Sequence, residues 1–171
     1  MAVLEILHYP APVLTEKSLP VETFDETLRQ LATDMAETMY DAPGVGLAAP
    51  QVGVLKRLVV IDCSGSDEPA ELIVAVNPEI IERTGECMEE EGCLSVPGYY
   101  AKVARSAQVR LRYQDLDGQT LEREADDLLA VAIQHEIDHL DGVLFVDRIS
   151  SLKRSIFRKK YQKMQREQEE A

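Results

Sequence analysis

Residues 134–142 read QHEIDHLDG and contain His135-Glu136-x-x-His139. Residues four apart on a helix share a face, so the two imidazoles can hold one cation between them. Glu136 then falls beside that cation, where a base for water belongs. The chain has three histidines. Two fall at this spacing, while His8 has no such context and reads as structural. A catalytic site of the zinc type needs three protein ligands and an open position. No histidine follows His139, and Asp141, Asp147, Glu167, Glu169 and Glu170 follow no ligand motif. Upstream, EEGCLSVPG offers the thiol of Cys93, and Gly92 before it lets backbone come close. Cys87 is a second thiol six residues earlier, and spacing does not decide between the two.

The elements that must position these residues read as α+β: antiparallel strands around a central helix that bears the histidines, with a further helix at the C-terminus. Thr23-Phe-Asp-Glu26 has the form of a capping box. Behind it Leu28, Leu31, Ala32, Met35 and Met39 recur at helical spacing, predicting a helix to about Tyr40. DAPGVGLAAPQVG is too rich in Gly and Pro to be regular throughout. RLVVID (57–62) and LIVAVNP (72–78) are β-branched runs separated by the loop GSDEPAE. QVRLRYQ and QTLEREA flank Asp117-Gly118, a hairpin signal. Asp126 or Asp127 is placed to cap the histidine helix, which should run to about Asp141 and end at Gly142. On it Leu128, Ala132, His135 and His139 form one stripe, expected to face the core. Ile149, Leu152, Ile156 and Met164 are expected on one side of the last helix. Without repeats or a linker, residues 1–171 read as one catalytic domain, of which 153–171 form a basic helix.

At 45% hydrophobic and 29% charged residues the class is globular. No apolar run approaches the roughly 20 residues of a membrane span, and no signal-peptide pattern opens the chain, so cytoplasm is the expectation. An odd set of three cysteines argues against a disulfide framework. A net charge of -13 disfavours nucleic acid as the main partner, and DNA in particular. The charge is uneven: residues 149–171 carry seven Lys and Arg against three Glu, so the rest of the chain is strongly acidic.

GVGLAAPQ (44–51), EGCLSVP (91–97) and QHEIDHLDG (134–142), in this order and separation, resemble the three motifs of bacterial peptide deformylases. The resemblance extends through ETMY, RLVVID, LIVAVNPEI, LEREADDLLA and GVLFVDRIS. It implies that Cys93, His135 and His139 bind one divalent metal with water in the fourth place, and that Glu136 is the general acid/base. It implies that the Gln51 side-chain amide and the Leu94 backbone N–H hold the developing oxyanion. Backbone around Val45, Gly46 and Gly92 would bind an extended peptide, and Val45, Val131, Ala132 and His135 would form the methionine pocket. Arg105 matches an arginine that can pair with Glu91. The implied reaction removes the formyl group from N-formylmethionyl peptides and nascent chains. A metal suits this, since it can lower the pKa of water from about 15.7 to roughly 7. The resemblance implies Fe2+ natively, with Ni2+, Co2+ or Zn2+ as substitutes, because affinity order alone would not select iron over zinc. Tyr99-Tyr100, after the second motif, could shape the outer substrate groove.

Two other readings share part of the pattern. A metal-dependent endopeptidase has His-Glu-x-x-His but no use for Cys93 or GVGLAAPQ. A binding module with a structural metal would need a fourth ligand, for which Cys87 is the obvious candidate. The basic tail suits an amphipathic helix capping the domain, and the resemblance adds docking on the ribosome through Lys153, Arg154, Arg158, Lys159, Lys160 and Lys163. A monomer is expected.

Overall fold

The computed structural model describes residues 2–65 and 67–170, the last three of these by backbone alone. Helix α1 spans Glu26–Asp41 and is followed by β1 (Gly46–Ala48), β2 (Leu58–Ile61) and β3 (Ile73–Thr84). Strands β4 (Cys87–Cys93), β5 (Val96–Arg105), β6 (Gln108–Gln114) and β7 (Thr120–Asp126) lead into α2 (Asp127–Leu140). Helix α3 covers Ser151–Glu170. Five strands form an antiparallel sheet in the order β1-β2-β3-β6-β7, while β4 and β5 form a separate hairpin.

Alternation along the strands assigns the two faces of the large sheet. Val59, Ile61, Ile73, Ala75 and Leu111 meet Ala130, Ile133, Ile137 and Leu140 of α2. Leu58, Val60 and Val76 meet Leu28, Ala32, Met35 and Met39 of α1 on the other face. A third cluster joins the β4–β5 hairpin to α3 through Val96, Val103, Phe145, Phe157 and Tyr161. Helix α2 therefore lies between sheet and hairpin, and every residue from Ala130 to Leu140 is buried. The α+β expectation, with antiparallel strands around the histidine helix, holds.

Both ends of α2 are fixed by backbone chemistry. It follows β7 with no intervening loop, and Asp127 turns the corner at φ 49°, a left-handed conformation that Asp tolerates better than most residues. At the far end Gly142 has φ 76°, and Val143 N–H donates to the Asp138 carbonyl. A Cβ at Gly142 would sit 2.5 Å from the Thr15 carbonyl oxygen. Only glycine fits there.

Three local expectations are corrected, and a fourth holds. The N-cap of α1 is Asp25, whose carboxylate accepts from Leu28 N–H, and not Thr23. The hairpin expected at Asp117-Gly118 joins β6 to β7, with Gly118 alone of the two at positive φ and the Asp115 carboxylate accepting from Asp117 and Gln119 N–H. Leu128 is exposed at the lip of a cleft and does not face the core. With α2 enclosed on all sides from Ala130 onward, apolar spacing does not distinguish its sheet face from its cleft face. Among the described side chains of α3 the buried ones are Phe157 and Tyr161, while Leu152 and Ile156 are exposed. The aromatics win that contact because they bury more area and tilt against Tyr9 and Tyr99.

Candidate metal centre

Cys93 ends β4, and His135 and His139 lie one turn apart on α2, so hairpin and helix must meet to bring the three together. They do. One ligand atom from each lies within 4.8 Å of the others, the one such cluster among the described residues. Cys93 Sγ is 3.3 Å from His139 Nε2, which is 3.3 Å from His135 Nε2. His135 Nδ1 lies 3.0 Å from Glu91 Oε1, which assigns the ring hydrogen to Nδ1 and leaves the Nε2 lone pair facing the other donors. A thiol and two imidazole nitrogens converging in this way fit a borderline divalent cation. Cys87 lies six residues up the same strand, roughly 20 Å away at strand rise, and cannot complete the set.

Glu136 is 4% exposed, and its Oε1 is buried without a hydrogen-bond partner. Its Oε2 would lie 2.5 Å from a Cβ on Gly46, so β1 passes directly over the carboxylate. Burial disfavours the charged form and pushes Glu136 up to about 7, although the charge on His135 pulls the other way. Burial likewise holds His139 well below the usual imidazole range. Burial works in the same sense on His135, but the neighbouring Glu136, Cys93 and Glu91 outweigh it and favour the proton. A bound cation would compete for that same position.

Gln51 is on the one-turn 3-10 helix that follows β1, and is 1% exposed. Its Oε1 accepts from Ala48 N–H, which turns the amide nitrogen toward the centre. Nε2 donates to Ser95 Oγ at 3.0 Å and lies 3.6 Å from Cys93 Sγ. Ser95 also sends its own N–H toward Sγ at 3.4 Å. Sequence reasoning assigned Ser95 nothing, and its place directly after Cys93-Leu94 was the only available signal. Arg105 pairs with Glu91 through two 2.8 Å bonds, as the resemblance implied.

The centre opens onto one cleft of about 930 Å³. Val45, Gly46, Gly92, Leu94, Val131 and Ala132 all line it, together with Gln51, Glu136 and two of the three donor residues, Cys93 and His135. Gly92 is crowded by the Tyr100 ring, which a Cβ there would meet at 2.5 Å. His8, read as structural, also lines the cleft and is exposed. Val45 is fixed from behind: its carbonyl accepts from Asp62 N–H, and Asp62 accepts from Tyr40 OH at 2.6 Å.

Residues 3–155 match the family model described as polypeptide deformylase. A peptide deformylase of Acidobacterium capsulatum is 54% identical over 166 residues, covering 97% of this chain and 98% of that protein. The crystal structure of a peptide deformylase from Legionella pneumophila superposes with a TM-score of 0.91 at 50% identity, over 99% of both chains. Another, from Ehrlichia chaffeensis in complex with actinonin, does so with a TM-score of 0.90 at 37% identity, over 97% of this chain and 99% of that one. The three quoted motifs, the ligand cluster and the full-length likeness agree: this chain belongs to the polypeptide deformylase family.

Proposed function

We propose that the cleft hydrolyses the formamide of N-formylmethionyl peptides and nascent chains, releasing formate, with Cys93, His135 and His139 holding one divalent cation. The observation that carries this is the meeting of those three donors beside the buried, unpartnered Glu136 at the base of a peptide-sized cleft. The cation supplies Lewis acidity and makes water nucleophilic near neutral pH. Glu136, poised near 7, accepts a proton from water and passes it to the leaving amine. Gln51 Nε2 and the Leu94 backbone N–H donate to the carbonyl oxygen as charge develops on it. The Ala48 contact presets the Gln51 amide for that role.

Substrate binding follows from two strand edges. Among the described residues β1 is an edge strand of the large sheet, β4 has a partner only in β5, and Gly46 and Gly92 both line the cleft. An extended peptide can pair its backbone there, which suits recognition of many sequences by a common main chain. Val45, Val131, Ala132 and the flank of His135 offer the apolar wall for methionine. Ferrous iron is our assignment for the native metal, on the family likeness and a mixed thiolate and imidazole donor set. Nickel, cobalt or zinc would substitute.

The chain works as a monomeric catalytic unit of the cytoplasm; no helix of the described residues is long and apolar enough to cross a membrane. Helix α3 is the element we assign to ribosome docking. Lys153, Lys159, Lys160 and Lys163 are exposed there, next to exposed Leu152 and Ile156. Since Phe157 and Tyr161 anchor α3, the cleaner test reverses Lys153, Lys159 and Lys160 to Glu in the full chain. Loss of low-salt co-sedimentation with ribosomes is expected, and unchanged co-sedimentation would remove the assignment.

The deciding assay is formate release from formyl-Met-Ala-Ser by protein purified without oxygen and assayed for metal. Formate with about one metal per chain is expected. Glu136→Gln should lower the rate on the order of 10²–10⁴-fold while metal stays bound. Internal cleavage of unformylated peptides, without formate release, would instead establish the endopeptidase.

A further inference from the structure

Asp138 takes no part in the hydrolysis, yet it carries two guanidinium groups. Arg105 Nη1 donates to it at 2.6 Å, and Arg148 Nε and Nη2 donate at 2.6 and 2.7 Å. Arg105 also spends Nε and Nη2 on Glu91, whose Oε1 accepts from His135 Nδ1. An unbroken series of hydrogen bonds therefore runs from Arg148 to the imidazole of a metal-ligand residue. His135 and Asp138 are three apart on α2 and share a face, so the series closes into a ring through the helix backbone. β4 contributes Glu91, β5 contributes Arg105, and the end of the short 3-10 helix Phe145–Asp147 contributes Arg148. Arg105 and Glu91 are almost fully enclosed, and Arg148 is the one member that reaches solvent, with its side chain 46% exposed.

We propose that Arg148 is a positioning residue for His135, acting through Asp138, Arg105 and Glu91. Two cations balance two carboxylates in the ring. Removing Arg148 leaves both carboxylates sharing Arg105 alone, with one negative charge uncompensated in a mostly buried site. The available relief is a shift of the Arg105 guanidinium toward Asp138 and away from Glu91. Glu91 is the group that fixes the rotation and tautomer of His135, so its loosening reaches the ligand nitrogen. Outer partners of a ligating histidine typically change metal affinity 10–100-fold. Arg148 lies further out, so an effect on the order of 3–10-fold is expected, below that direct-partner range. An ordinary half-exposed ion pair would change it not at all.

The inference rests on Cys93, His135 and His139 holding the metal, and the test separates the two readings. Zn2+ affinity is measured by chelator competition for the wild type, Arg148→Met and Arg148→Lys. Arg112→Met serves as a control, because Arg112 makes exposed pairs on β6 with Glu79 and Glu122. Apo-protein melting is recorded in parallel. Arg148→Met should weaken Zn2+ binding by roughly 3–10-fold, below the range typical of a direct histidine partner. Arg148→Lys should recover part of the loss, having the charge without the two-point bond, and Arg112→Met should bind as wild type. Unchanged Zn2+ affinity in Arg148→Met overturns the proposal, whatever its melting point does. A wild type that takes up no Zn2+ overturns the metal reading and this inference with it.

Discussion

Two arginine clusters have nearly the same bond lengths and very different surroundings. In the ring beside the metal centre Arg105 meets Glu91 at 2.8 Å, with side chains 3% and 5% exposed. On the outer face of β6 and β7, Arg110 meets Glu122 at 3.0 Å and Glu124 at 2.8 Å, with exposures of 37%, 39% and 79%. Distance therefore does not rank them. In water the β6 pairs exchange solvent hydrogen bonds for protein ones with little net gain, and salt screens what is left. The enclosed ring has already lost its hydration, so each member depends on the others, and removing one strands a buried charge. Glu91 records the difference: burial alone would raise its proton affinity, yet the bonds from Arg105 and His135 hold it below the ordinary carboxylate range. The difference teaches that in this protein an ion pair should be weighed by what the surviving partner would face.

The sharpest way to break that contrast is Arg105→Met. It should destabilise the fold by about 3–5 kcal/mol in urea unfolding, and a loss below about 1 kcal/mol would put the ring on a par with the surface pairs. An intermediate case is Tyr40 with Asp62, where an enclosed carboxylate meets a half-exposed hydroxyl. Burial raises Asp62, but hydrogen bonds from Ser64 and Tyr40 outweigh it and lower the carboxyl from 3.8 to about 2. A depressed folded value means this contribution to stability is present at neutral pH and is lost as pH falls from about 4 to about 2. Tyr40→Phe should therefore lose about 0.5–1 kcal/mol at pH 7. The gap from wild type should close on acid titration through that window, as followed by circular dichroism. A gap that widened toward low pH would reverse the sign assigned to Asp62. The smallest effect belongs to Arg110→Met, which should leave the melting midpoint and formate release where they were. A drop as large as that of Arg105→Met would mean that exposure is a poor guide to the weight of these pairs.

Much of the site was legible because its chemistry is local. His135, Glu136 and His139 share one helix, and their spacing alone puts two imidazoles together. Spacing left Cys93 and Cys87 open and the motif resemblance chose Cys93; strand β4 adds the physical reason, since the two thiols stand six residues apart on an extended chain. Gly46 shows the opposite limit. Its sequence context is a small-residue loop, while its reason for being glycine is Glu136 Oε2, ninety residues away, occupying the space a side chain would take. Leu128 was expected to face the core and is exposed, and Leu152 and Ile156, grouped on one side of the last helix by apolar spacing, are exposed too. Spacing reports which residues share a face of a helix, not which face its neighbours cover, and on α3 Phe157 and Tyr161 determine that.

The sequence by itself determined the α+β class, the helix bearing the histidines, and the donor types that suit a divalent metal. These rest on periodicity, turn chemistry and coordination preference, which act over a few residues. Only the tertiary structure decided that Ser95 and the Gln51 amide flank the thiol, that Glu136 is buried without a partner, and that Asp138 ties Arg105 to Arg148. Each of those depends on the hairpin, the large sheet and α2 meeting at one place. That meeting is fixed by burying three separate apolar clusters at once, a property of the whole chain that no single stretch of it carries.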